Sequence, residues 1–350
     1  AWADVLVHRT KPIVFVNSDA GGKLWDPITN KVRDLSTQRA RSYCFLANQV
    51  TAILHPMSGE PWKLVNWSVD DATAPRGEIL LNGVPERLAV SKNEDLLAVS
   101  FQGFGAIVCD SQTGQTQLRS FSHDSPISFT GFDKSGETLI TVSPDGQLGF
   151  SQATGGTSSM HVEERGRITV SQLSPDGTLL ALGNDTGKLT LIGVNERRQL
   201  EAPKFASTSA IRQITFDDNG RYLAMLDLDG TIQVLDLQTQ EARQFQAAGA
   251  TGIDLSPDGK SLLIAGGAAE PKGLLIEIDV VTGKARTLFD AVNGPAVWAC
   301  YSPDGKTVAA IRSDDTLVVR KIDGEELLEV KVSSNPVLHT AFLPDGRHVM

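Results

Sequence analysis

One tetrapeptide, Ser256-Pro257-Asp258-Gly259, punctuates this chain, and close relatives of it recur at a spacing that few folds accommodate. Proline presets φ for the second position of a type I turn, serine suits the first position and glycine the fourth. Apolar, strand-like runs flank the turn: Ile253 and Leu255 before it, Leu262, Leu263 and Ile264 after it. Related turns are Asp133-Lys134-Ser135-Gly136, Ser174-Pro175-Asp176-Gly177, Asp217-Asp218-Asn219-Gly220, Ser302-Pro303-Asp304-Gly305 and Leu343-Pro344-Asp345-Gly346. Their glycines, taken with Gly259, are spaced by 41, 43, 39, 46 and 41 residues. About ten residues after most of these glycines comes a second turn, such as Asp145-Gly146, Thr186-Gly187, Asp229-Gly230 or Asp314-Asp315. A third follows at Thr239-Gln240 or Thr282-Gly283. Ser143-Pro144-Asp145-Gly146 falls on the second turn of its unit rather than the first, so the motif tracks turn geometry and not a site.

Four short strands per unit of about 40–45 residues is the repeat of a propeller blade. The fold class expected is therefore all-β, a β-propeller of four-stranded antiparallel blades. Units are expected at 4–35, 42–82 and 87–119, from near 127, 168, 211 and 251, and at 297–331. The unit at 87–119 has Lys92-Asn93-Glu94-Asp95 where its neighbours have a glycine turn, and 196–209 reads as a long link between the fifth and sixth units. Residues 337–350 make only half a unit. A propeller closes to protect its edge strands. The expectation is one domain over 1–350, closed by strands from both termini, with eight blades, or seven if the flanks stay outside the ring.

These units resemble WD-repeats, in a divergent form with the Ser-Pro-Asp-Gly turns of bacterial propeller repeats. Trp-Asp occurs once, at Trp25-Asp26; Trp67 stands at the equivalent place in the next unit; Ser122-His123-Asp124 is the nearest match to the family's Gly-His. The resemblance implies a Trp–Ser/Thr–His–Asp hydrogen-bond network where those residues are present. It also implies a role as a platform for protein partners.

The totals limit other functions. Net charge is −10 with the acidic residues scattered, which argues against a nucleic-acid partner and its basic patch. No apolar run reaches the length of a membrane span. Cys44, Cys109 and Cys300 lie in strand runs without metal spacing, as buried free thiols do. The chain opens on Ala1 rather than Met, as a processed or excerpted chain does. The cytoplasm is one compartment open to it; with a leader removed ahead of Ala1, the periplasm or exterior is another. Gly-x-Ser-x-Gly, His-Glu-x-x-His and phosphate-binding loop motifs are absent, and Asp227-x-Asp229-Gly230 lacks the twelfth-position glutamate of a calcium loop. No catalytic residue, cofactor or metal is assigned.

The function expected is a non-catalytic interaction scaffold or assembly subunit, with protein partners that can belong to a larger complex. A propeller enzyme with a site at a central channel, where dispersed histidines could converge, is the alternative; a sensor domain of a larger protein is another. Loops carry function on rigid scaffolds. Two partner-binding candidates follow: the extended turn at 266–272, with Gly266, Gly267, Glu270 and Lys272, and the basic linker with Arg33, Arg39 and Arg41.

Overall fold

The computed structural model describes all residues except 1–2, 8–12, 19–20, 27–28, 47, 58–59, 71–74, 103–104, 112, 114, 121, 163–165, 202–206, 267–274, 290–294 and 332–350. It is all-β: eight four-stranded antiparallel sheets, the blade of a β-propeller repeated eight times. Sheet 1 holds β1 (Ala3–Val7), β2 (Val14–Ser18), β3 (Gly21–Asp26) and β4 (Lys31–Ser36). Sheet 2 holds β5 (Ala40–Leu46), β6 (Gln49–Leu54), β7 (Trp62–Ser68) and β8 (Pro75–Leu81). Sheet 3 holds β9 (Pro85–Val90), β10 (Leu96–Phe101), β11 (Ala106–Asp110) and β12 (Thr116–Arg119). Sheet 4 holds β13 (Phe129–Phe132), β14 (Thr138–Val142), β15 (Gln147–Gln152) and β16 (Thr157–His161). Sheet 5 holds β17 (Ile168–Leu173), β18 (Leu179–Asn184), β19 (Leu189–Gly193) and β20 (Arg198–Leu200). Sheet 6 holds β21 (Ile211–Phe216), β22 (Tyr222–Asp227), β23 (Thr231–Asp236) and β24 (Ala242–Gln246). Sheet 7 holds β25 (Ala250–Leu255), β26 (Ser261–Gly266), β27 (Leu275–Asp279) and β28 (Ala285–Phe289). Sheet 8 holds β29 (Ala296–Tyr301), β30 (Thr307–Arg312), β31 (Thr316–Lys321) and β32 (Glu326–Lys331).

Each sheet pairs strands in chain order, and the boundaries follow the expected units closely. One expectation is corrected. The stretch from residue 196 is not all linker, because Arg198, Gln199 and Leu200 pair with Gly193, Ile192 and Leu191 as the fourth strand of sheet 5. All four strands of sheet 1 come from residues 3–36. The C-terminal half-unit expected to join it lies outside the described residues. Chain contacts divide the structure into two compact units, Ala1–Glu164 and Arg165–Met350.

Within each unit the sheets stack face on face, and this explains the apolar runs. Successive side chains on a strand point to opposite faces. In β26, Leu262 and Ile264 pack toward sheet 6 with Ile232 and Val234, while Leu263 and Ala265 pack toward sheet 8 with Ala299 and Val308. Both faces are buried, so the strand is apolar throughout rather than alternating. In the first unit Phe15 and Leu24 meet Val50, Val65 and Trp67 between sheets 1 and 2, with the Phe15 and Tyr43 rings 5.0 Å apart. Leu46, Ile53 and Leu64 meet Leu97 and Val99 between sheets 2 and 3. Fourth strands are the exposed ones, as in β16 and β24.

First strands leave backbone groups on an open edge, which is a hazard unless something caps them. Side chains of the preceding sheet do so. The Asn17 amide donates to Ala40 O and accepts from Ala40 N, both at 2.8 Å. Ser42 Oγ accepts Leu88 N at 3.1 Å. In the second unit Thr169 Oγ1 donates to Ile211 O at 2.6 Å, and the Gln213 amide brackets Ile253 at 2.7 and 3.1 Å. Asp254 Oδ2 accepts Tyr301 N at 2.9 Å.

The repeated tetrapeptides are turns, and each residue in them has a task. Gly177, Gly259 and Gly305 each donate to the first turn carbonyl, Ser174 O, Ser256 O and Ser302 O, at 2.8 Å. The serine hydroxyls accept Leu179 N, Ser261 N and Thr307 N at 2.9–3.0 Å and donate to Asp176, Asp258 and Asp304 at 2.6–2.8 Å. The third turns carry a different cap. Asp236 Oδ1 accepts Thr239 N at 3.2 Å, and Asp279 Oδ1 accepts Thr282 N at 2.6 Å. The next residue closes both turns with a 2.8 Å bond to the aspartate carbonyl. It is Gly283 at φ 70 in one and Gln240 at φ 62 in the other. A side chain at positive φ costs about 1–2 kcal/mol, partly offset by the extra freedom glycine gives the unfolded chain. Gln240→Gly is therefore expected to stabilise the protein by about 0.5–1 kcal/mol, read as a higher urea midpoint with unchanged slope.

Candidate partner-binding surfaces

The three arginines of the linker do not form one patch. Arg33 on β4 reaches the far end of β7, donating from Nη1 to Asp70 O at 2.9 Å and from Nη2 to Val69 O. It clamps sheet 1 to sheet 2 by backbone carbonyls. Arg39 and Arg41 lie at the opposite end of β7, beside its first residue, Trp62. The Arg41 guanidinium sits 5.6 Å from the Trp62 ring centroid and pairs with Glu86 at 3.5 Å. The His55 ring packs against Trp62 with the centroids 4.9 Å apart, and the His55 backbone N–H donates to Arg39 O at 3.1 Å. Burial, then the charges of Arg41 and Arg39, hold the His55 pKa below its ordinary value. Met57 in the following turn is 56% exposed. Trp, Met and Arg are the side chains enriched at protein interfaces. In the sequence this surface is marked only by Pro56 and Pro61 ahead of Trp62, which itself reads as an ordinary strand residue.

Of the second candidate, Gly266 ends β26 at φ 84, and a Cβ there would lie 2.7 Å from Thr251 Oγ1. Gly267, Glu270 and Lys272 lie outside the described residues.

The second unit holds a cleft of about 750 Å³ between sheets 7 and 8. Turn residues Ser256, Pro257 and Asp258, strand residues Glu277, Arg286 and Tyr301, and the turn residue Asp304 line it. Its floor is a buried polar chain. The Tyr301 hydroxyl donates to Glu277 Oε1 at 3.0 Å, and Arg286 Nε donates to Glu277 Oε2. Burial, then Glu277, push the Tyr301 pKa upward. Behind it, Asp254 keeps part of its surface open by area yet is ringed by protein; burial raises its carboxyl to about 7, against the Tyr301 and Leu255 N–H bonds that oppose the shift. Glu277 was not expected from the sequence, though a carboxylate inside the run Leu275-Ile276-Glu277-Ile278 was the visible sign.

In sheet 4 the polar network implied by the WD resemblance is present in part. His123 is buried, with Nε2 2.7 Å from Thr141 Oγ1 and Nδ1 3.0 Å from Ser143 Oγ; Ser143 donates to Asp145 Oδ1 at 2.5 Å. Phe150 on β15 is fully buried nearby in the same sheet. These groups bond one another and hold the sheet together. The cysteines are not in disulfides; Cys109 is buried, with its pKa raised to about 11 by burial and then Asp110, while Cys44 and Cys300 are half-buried. Among the described residues no three of His, Cys, Asp or Glu are placed to hold a metal ion, and no helix is long and apolar enough to cross a membrane.

Comparison with known proteins agrees with this geometry. Residues 171–254 match the WD40 domain of anaphase-promoting complex subunit 4. The β-propeller domain of Cps50 (Swd1) from Myceliophteria thermophila superposes with a TM-score of 0.51 at 13% identity, over 78% of this chain and 94% of that one. No curated protein sequence matches. The fold and the match together support a WD-repeat β-propeller. Such propellers are typical protein-interaction scaffolds.

Proposed function

We propose that the protein is a non-catalytic interaction scaffold, an assembly subunit that docks a protein partner on the Trp62 surface of its first unit. The observation that carries this reading is the stacked set His55, Trp62 and Arg41, with exposed Met57 in the turn that leads into Trp62. An aromatic anchor and an arginine, bordered by an exposed apolar side chain, is the composition of an interface hot spot. The arrangement supplies recognition and contains no nucleophile with an adjacent base.

The test is affinity purification of the native protein, identification of a stoichiometric partner, and rebinding of that purified partner to variants. Met57→Glu and Arg41→Ala change side chains of this surface that lie outside the core. Each is expected to weaken the partner at least about tenfold, as losing a hot-spot contact does. A partner that binds both variants as tightly as the native protein overturns this assignment of the surface. Recovery of the protein alone overturns the scaffold reading.

A further inference from the structure

We infer that Asn82–Gly83, in the link between sheets 2 and 3, is a covalent modification site, where the chain deamidates itself and an aspartyl or isoaspartyl residue replaces the asparagine. This goes beyond the Trp62 surface and does not depend on any partner.

Asparagine or aspartate followed by glycine is the reactive dipeptide of this chemistry. The glycine nitrogen can reach the side-chain carbonyl carbon of the residue before it, because no Cβ stands in the way and the backbone bends freely. A chain built on aspartate–glycine turns is rich in such pairs. Ten occur, seven with aspartate and three with asparagine. Asn293–Gly294 and Asp345–Gly346 lie outside the described residues. In seven of the other eight the glycine N–H is occupied: it donates across its turn to the carbonyl three residues earlier, at 2.8–3.3 Å. Asn219–Gly220 is held twice. Gly220 N–H donates to Asp217 O at 3.0 Å, and the Asn219 amide donates to Pro257 O at 3.2 Å. A nitrogen engaged in this way attacks only after the turn opens locally.

Among the described residues Asn82–Gly83 is the exception. Both residues are exposed, and neither the Asn82 amide nor the Gly83 N–H has a hydrogen-bond partner. Gly83 has φ 123, a backbone that side chains rarely adopt, and a Cβ there would stand 3.3 Å from the Phe101 ring. The fold therefore holds glycine at this position, and the reactive pair with it.

The step balances without an oxidant or a cofactor. Gly83 N loses its proton and attacks Asn82 Cγ; the new C–N bond closes a succinimide ring as ammonia leaves with a proton. Water then opens the ring. Attack at the side-chain carbonyl gives aspartate, and attack at the main-chain carbonyl gives isoaspartate, whose backbone is one methylene longer. Either product adds a negative charge. The change falls on a tight connection: Leu81, just before it, is the cross-strand partner of Trp62, and Val84, just after it, accepts Gln102 N–H at 2.8 Å. An added methylene pushes those two anchors apart, so the modification acts on the seam between sheets 2 and 3.

The test is incubation of the full native chain in mildly alkaline buffer made with heavy-oxygen water, then peptide mapping with fragmentation that separates aspartate from isoaspartate. The Asn82 peptide should take up heavy oxygen at least about tenfold faster than the Asn219 peptide, the ratio that a modest opening equilibrium imposes. Asn293 is read in its own peptide. In concentrated urea, where no turn bond survives, the Asn82 and Asn219 rates should come together. Asn82→Gln keeps an amide but closes a larger ring far more slowly; it should remove the early product and leave Asn219 unchanged. Equal rates in the native chain, or no reaction at Asn82, overturn the inference. A native ratio that persists in urea overturns it too, because the local sequence and not the fold would then set the rate.

Discussion

Gly259→Ala is expected to destabilise the protein by about 3 kcal/mol or more, while Gly220→Ala, at the same position of the neighbouring turn, costs about 1–2 kcal/mol. The two glycines have nearly the same backbone, φ 71 and φ 67, so each alanine suffers the same left-handed penalty. They differ in what a methyl group meets. At Gly220 the nearest atom is Pro175 Cδ at 3.7 Å, an ordinary contact. At Gly259 a Cβ overlaps Tyr222 Cδ2 outright and lies 3.1 Å from Asp217 Oδ2. That part of the ring is near its root, packed in the core between sheets 6 and 7 and covered by Arg221, so it cannot swing aside. Urea unfolding of the two variants side by side measures the difference. Equal losses would show that the ring relaxes and that the backbone term is the whole effect.

Asp254→Asn is expected to stabilise the protein at pH 8 by about 2–4 kcal/mol, and the gain should shrink by about 1.4 kcal/mol for each pH unit below 7. Burial, with a smaller push from Asp218, raises this carboxyl from 3.8 to about 7 in the folded protein. A folded pKa above the unfolded one means that the group's favourable contribution is complete below pH 4 and is lost as pH rises toward 7. Above 7 the folded protein holds an ionised carboxylate in a place that resists it. Asparagine resembles the neutral acid and retains a carbonyl to accept Tyr301 N–H, a bond of 2.9 Å in the native chain. Urea midpoints of both proteins at pH 5, 6, 7 and 8 give the curve; a gain that does not change with pH would mean that Asp254 ionises in the folded protein as it does in the unfolded one, its carboxylate better hydrated than its surroundings indicate.

The architecture was legible because its signals are local. A glycine turn needs only four residues, and Gly136, Gly177, Gly220, Gly259 and Gly305 each close the expected hairpin between first and second strands. Sheet 3 shows how far the rule bends: Ser91-Lys92-Asn93-Glu94 makes the same turn with Glu94 at φ 63 in the glycine's place. The strand Arg198–Leu200 escaped because three residues, two of them charged or polar, carry no periodicity. The binding surfaces were less legible because they are assembled across sheets. Arg33 and Arg41 are close in sequence, yet β7 separates them from end to end. Glu277 and Arg286 face each other across the β27–β28 hairpin, but Tyr301 reaches them only because sheets 7 and 8 stack, a relation no run of neighbouring residues records. The strand-interior position of Glu277 was the one hint.

The side chains that cap first-strand edges all point the same way along the chain. Asn17 serves Ala40, Ser42 serves Leu88, Thr169 serves Ile211, Gln213 serves Ile253 and Asp254 serves Tyr301, so the earlier residue always supplies the side chain and the later one the backbone. A ribosome delivers the N-terminal part first. Within each unit, then, sheets 2, 3, 6, 7 and 8 each emerge next to a finished neighbour that already displays the group the opening strand will bind, and synthesis itself dictates the sequence of docking.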